Sequence, residues 1–102
     1  MTADPSFRMT VSDVFSIRGR GTVVTGTIES GTLRVGDKIR ISGQGGSSMT
    51  AVVSGLETKR RTQTEVAAGE NVGVLLRDVA KSDIRPGDRL ESDQGMDFSW
   101  KP

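Results

Sequence analysis

The sequence predicts an all-β protein, a small closed antiparallel β-barrel, on three observations. Phe7, Met9, Val11, Phe15 and Ile17 fall on odd positions, the period-2 pattern of a strand that buries one face. Clusters of Gly, Asp, Asn and Ser return at short, regular intervals and read as turns between neighbouring strands. No segment sustains the 3.6-residue apolar repeat of an amphipathic helix. Six or more short strands between Phe7 and Glu91 favour closure, because a closed barrel has no sheet edges to protect.

The elements follow in order. The run from Phe7 to Ile17 is expected as one strand with Phe7 and Phe15 on its buried face. Arg18-Gly19-Arg20-Gly21 is a tight hairpin tip, since glycine adopts positive φ at little cost, and Val23-Val24-Thr25 resumes the β-rich sequence. Glu29-Ser30-Gly31-Thr32 and Val35-Gly36-Asp37-Lys38 are turns, and Lys38 to Ile41 alternates with Ile39 and Ile41 on one side. Gly43-Gln44-Gly45-Gly46-Ser47-Ser48 is a side-chain-poor loop before a strand from Met49 to Glu57. Asn71 to Val79 is apolar on both faces, which marks a central strand. Ser82-Asp83-Ile84 is expected as a single helical turn, and the Pro-Gly turn Arg85-Pro86-Gly87-Asp88 feeds a last strand at Arg89-Leu90-Glu91. The expected organisation is a flexible N-terminus over residues 1–6, a barrel over 7–91 and a tail over 92–102.

Composition narrows the function. A chain of 102 residues holds one domain. Fourteen basic against 13 acidic residues give a net charge of +1, so contact with nucleic acid has to be local rather than spread over a basic coat. There is no cysteine and no histidine, which removes thiolate and imidazole metal ligands and the commonest acid–base groups. No apolar run approaches the ~20 residues that span a bilayer, and the start Met1-Thr2-Ala3-Asp4-Pro5 lacks a signal peptide's charged and apolar regions. A cytoplasmic protein with no membrane, cofactor or metal requirement is expected. The phosphate loop G-x-x-x-x-G-K-[ST] that cradles a nucleotide does not occur, and Gly19-Arg20-Gly21 is too short to replace it. Nucleotide binding and hydrolysis are not expected, nor enzymatic activity of another kind.

Four motifs carry a resemblance: Asp13 to Gly26, Gly31-Thr32-Leu33-Arg34-Val35-Gly36-Asp37, Gly69 to Arg77, and Ile84-Arg85-Pro86-Gly87-Asp88. In that order and spacing they resemble the second, β-barrel domain of the translational GTPases, elongation factor Tu among them, over roughly Phe7 to Leu90. The resemblance implies a stand-alone domain-2 barrel of the kind that holds the aminoacylated 3′ end of tRNA and touches the ribosome. The pocket for the terminal adenosine resembles Asp13, Ile17, Val23, Glu57 and Leu75, with apolar walls and a glutamate against the base. Arg60 matches the residue whose backbone amide meets the aminoacyl ester, and Asn71 one near the amino-acid group. The ribosome-facing tip resembles Arg18, Gly19 and Arg20. One position departs from the pattern: Ser12 stands where glutamate is usual, so a carboxylate acceptor is missing.

Each of these residues has a plainer reading. Ile17 is expected in the core whether or not a ligand binds. Glu57 reads equally as a solvated carboxylate, Lys59-Arg60-Arg61 as an exposed loop, Asn71 as a turn residue and the arginine tip as a solubilising hairpin end. With Phe7 and Phe15 on the buried face, no platform for stacking bases is expected. The partners implied are therefore aminoacyl-tRNA or ribosomal RNA. Alternatives are a protein-interaction module that docks a partner through the Phe98 and Trp100 tail, and a fragment of a longer translational GTPase or related sulfate-activating enzyme.

Overall fold

A computed structural model describes residues 6–43, 46, 48–59 and 61–93. Six strands close a barrel: β1 (Arg8–Thr10), β3 (Gly21–Ser30), β5 (Lys38–Ser42), β6 (Ser48–Glu57), β9 (Asn71–Arg77) and β10 (Arg89–Ser92). They run β1-β10-β5-β6-β9-β3 and return to β1, every neighbour antiparallel. β2 (Asp13–Ile17) lies outside this circuit and, among the described residues, pairs only with β3. Two features escape the sequence pattern because their strands are too short to alternate. These are the two-stranded sheet of β4 (Thr32–Arg34) and β8 (Glu65–Ala67), and β7 (Thr62–Gln63), which pairs with β6. The helical turn arrives as a 3-10 turn over Lys81–Asp83. Among the described residues no helix is long and apolar enough to cross a membrane.

The barrel interior is filled by cross-strand pairs. Ile28, Met9, Leu90, Ile41 and Met49 face one another in succession around one side, and Val24, Val74 and Leu56 across the other. All but Met49 are buried. β9 is covered on both faces as expected, with Val72, Val74 and Leu76 inside and Leu75 outside.

Phe15 and Ile17 depart from the expectation. Both are exposed, at 49% and 40%, while Val14 packs against the core. The register gives the cause. From Met9 to Asp13 the first segment advances four residues, whereas β3 advances three, from Ile28 to Thr25. The one extra residue is a β-bulge, and it moves every later side chain to the opposite face. Phe7, Met9 and Val11 therefore point inward, and Asp13, Phe15 and Ile17 outward.

Three turns of one design set the strands' starting points. In Leu33-Arg34-Val35-Gly36-Asp37, Val66-Ala67-Ala68-Gly69-Glu70 and Ile84-Arg85-Pro86-Gly87-Asp88, a buried apolar residue precedes a turn whose glycine has positive φ. A carboxylate closes each turn, accepting the backbone N–H three residues earlier: Arg34 to Asp37 at 2.9 Å, Ala67 to Glu70 at 2.8 Å and Arg85 to Asp88 at 2.9 Å. The turns launch β5, β9 and β10. Asp88 is buried while Glu70 is exposed, so Asp88→Ala, which strands a part-buried N–H, is expected to cost about 1–3 kcal/mol. Glu70→Ala, whose N–H reaches water, is expected to cost less in urea titration.

Candidate functional site

The bulge and the extra strand create a four-stranded outer face, β2-β3-β9-β6, on the side of the barrel wall away from the core. Register fixes which side chains share it. One row runs Phe15, Val23, Leu75, Gly55, and the next Asp13, Thr25, Gly73, Glu57. Ile17 opposes Gly21 at one end. Asn71 opposes Thr27 at the other, donating from Nδ2 to the Thr27 hydroxyl at 3.2 Å. Asp13, Ile17, Val23, Glu57, Asn71 and Leu75, six residues from four strands, thus converge on one surface. Arg60 lies outside the described residues, as do Phe98 and Trp100.

Glycines shape the centre of this face. A Cβ at Gly73 would stand 3.4 Å from Val23 Cγ1, and one at Gly55 3.4 Å from Leu75 Cδ2. Their missing Cβ atoms let two aliphatic side chains, Val23 and Leu75, pack close over the strand backbone. Glycine inside a strand signals such close approach, so Gly55 and Gly73 were recoverable from the sequence. Phe15 corrects a second expectation: its ring is exposed on this same face, so an aromatic surface does stand beside Val23 and Leu75. Val23 and Leu75 are 8% and 6% exposed although they point away from the core, so neighbouring side chains already shelter them.

Charge is arranged around the rim. The β2–β3 tip carries Arg18 and Arg20, with Gly19 and Gly21, both at positive φ, on either side of Arg20, and Lys59 and Arg61 stand on the β6–β7 connection. Arg20 Nη2 donates to Glu57 Oε2 at 3.1 Å, with both side chains about half exposed. Arg20 adjoins the Ile17–Gly21 row and Glu57 ends the Gly73 row, so the ion pair spans the Val23–Leu75 row between them. The residues expected in separate adenosine and ribosome sites meet here in one contact. Arg18 makes no ion pair among the described residues. No cluster of acidic side chains among them is fit to hold a metal.

Among known families, the model for elongation factor Tu domain 2 matches residues 21–91. That span takes in Val23, Glu57, Arg60, Asn71 and Leu75, while β2 and the Arg18-Gly19-Arg20 tip precede it. The match covers more than two thirds of the chain and takes in five of the six barrel strands, all but β1, with the β3, β9 and β6 part of the face. On these grounds the chain belongs to the elongation factor Tu domain 2 family, the non-catalytic barrel of translation factors.

Proposed function

We propose that this chain is a cytoplasmic RNA-binding module of translation, with no GTPase activity of its own. The β2-β3-β9-β6 face takes the 3′-terminal nucleoside of aminoacyl-tRNA, and the Arg18-Gly19-Arg20 tip meets ribosomal RNA phosphates. The observation that carries this reading is the convergence of Asp13, Ile17, Val23, Glu57, Asn71 and Leu75 around Gly55 and Gly73. Aliphatic walls suit the faces of a purine, and Glu57 and Asn71 supply an acceptor and a donor for its edges or the ribose. Phosphates attract the arginines, which recognise their oxygens with paired N–H groups.

One face of a single barrel buries little of an RNA, so an affinity of micromolar or weaker is expected. The test is an NMR titration of the chain with a short acceptor-stem RNA, aminoacylated and free. Shifts concentrated at Ile17, Val23, Asn71 and Leu75, larger for the aminoacylated RNA, are the expected result. If no residue of the face moves at millimolar RNA, the reading fails. One observation favours a second reading: Phe15 and Ile17 are exposed apolar side chains on a single strand, which equally suits a protein partner, and capture of a protein that shields those two residues would favour it.

A further inference from the structure

We propose that Arg20 is a latch that exchanges between Glu57 and a phosphate oxyanion, so that phosphate bound at the hairpin tip uncovers the Val23–Leu75 row; this rests on the nucleoside reading above. Three observations lead there. The Arg20–Glu57 contact crosses the row that the nucleoside would have to reach. It also engages the carboxylate that would face the ligand, so Glu57 serves either the arginine or the base. And Arg20 sits between Gly19 and Gly21, both at positive φ, in a tip whose other guanidinium, Arg18, is not held by an acid among the described residues.

The balance of the two states is set by the weakness of the pair. Both side chains are about half exposed, and such pairs contribute little in water. A phosphate offers the guanidinium the same paired geometry as a carboxylate with more charge, so the exchange is close to even and easily tipped. Whatever tips it acts at both places, because a ligand that binds one state more tightly shifts the population towards it. Phosphate and nucleoside therefore help one another to bind.

The experiment uses the full chain with isotope label in arginine side chains, glutamate carboxylates and methyl groups. Sodium phosphate is compared with sodium chloride at equal ionic strength, and a diribonucleoside monophosphate is the second source of the same oxyanion. Phosphate is expected to move the Arg20 Nε–H and Glu57 carboxylate signals beyond what chloride does. It should also increase broadening of the Val23 and Leu75 methyls by a soluble nitroxide. Adenosine should bind about 1.4- to 5-fold more tightly in phosphate, the factor that ~0.2–1 kcal/mol of an exposed ion pair gives at 1.4 kcal/mol per tenfold. Arg20→Ala should show the higher adenosine affinity already in chloride and no response to phosphate. A response to the dinucleotide alone assigns the latch to RNA backbone, and a response to both assigns it to phosphate in general. Arg20 and Glu57 signals that respond to neither phosphate nor the dinucleotide beyond what chloride does overturn the proposal, as does an Arg20→Ala variant whose Val23 and Leu75 methyls are no more accessible than in the parent. Adenosine that moves no signal in either salt sinks the nucleoside reading instead, with the exchange still read from the arginine, carboxylate and methyl signals.

Discussion

Gly31→Ala is expected to destabilise the barrel by about 2–5 kcal/mol, a large share of the ~5–15 kcal/mol that holds a domain of this size together. Two costs add at this position. Gly31 has φ +77°, where an L side chain costs roughly 1–2 kcal/mol. Its Cβ would also lie 2.5 Å from the Phe7 nitrogen, 2.6 Å from the Phe7 Cα and 2.7 Å from the Ser6 carbonyl carbon, so backbone has to move, at ~1–3 kcal/mol. The backbone that moves is the entry to β1, which closes the barrel by pairing with both β10 and β3. Gly36→Ala is the control, because its φ is +96° but nothing lies within 4 Å of the added atom. It carries the conformational cost alone. Urea unfolding of the two variants reads the difference, and equal losses would show that crowding against Phe7 contributes nothing.

The same closure explains what the sequence could and could not tell. Strand order along the chain, the turns and the central place of β9 were legible because alternation and Gly-Asp punctuation are local properties. The three carboxylate-closed turns are local too, each contact spanning three residues. The bulge before Asp13 was not legible, since one extra residue in a strand leaves no mark in composition. It nevertheless decides whether Phe15 and Ile17 are core or surface. Resemblance in motif order supplied the candidate residues on β2, β3, β6 and β9, and register then put them on one face. The Arg20–Glu57 pair joins positions 37 apart in sequence, a separation at which neither spacing nor charge pattern carries information.

Adjacent leucines on β9 separate the fold from the face. Leu76 points inward, opposite Thr22 and Val53, and is fully buried. Leu76→Ala therefore leaves a cavity in a closed, six-stranded wall that has little freedom to collapse, and a loss of about 2–5 kcal/mol is expected. Leu75 points outward beside Val23 and Gly55. Its burial is nearly as complete, yet its cover includes the side chains of a rim that is partly exposed and able to settle into the space, so Leu75→Ala should cost clearly less. Ligand response should rank the other way. In RNA titrations of the folded protein, Leu75→Ala is expected to weaken the shifts at Ile17 and Val23, and Leu76→Ala to leave them unchanged. Equal stability losses would mean that the outer face is packed as rigidly as the core, which leaves no room for a latch or a nucleoside. Equal loss of RNA response would mean that the face has no recognition separable from the integrity of the barrel.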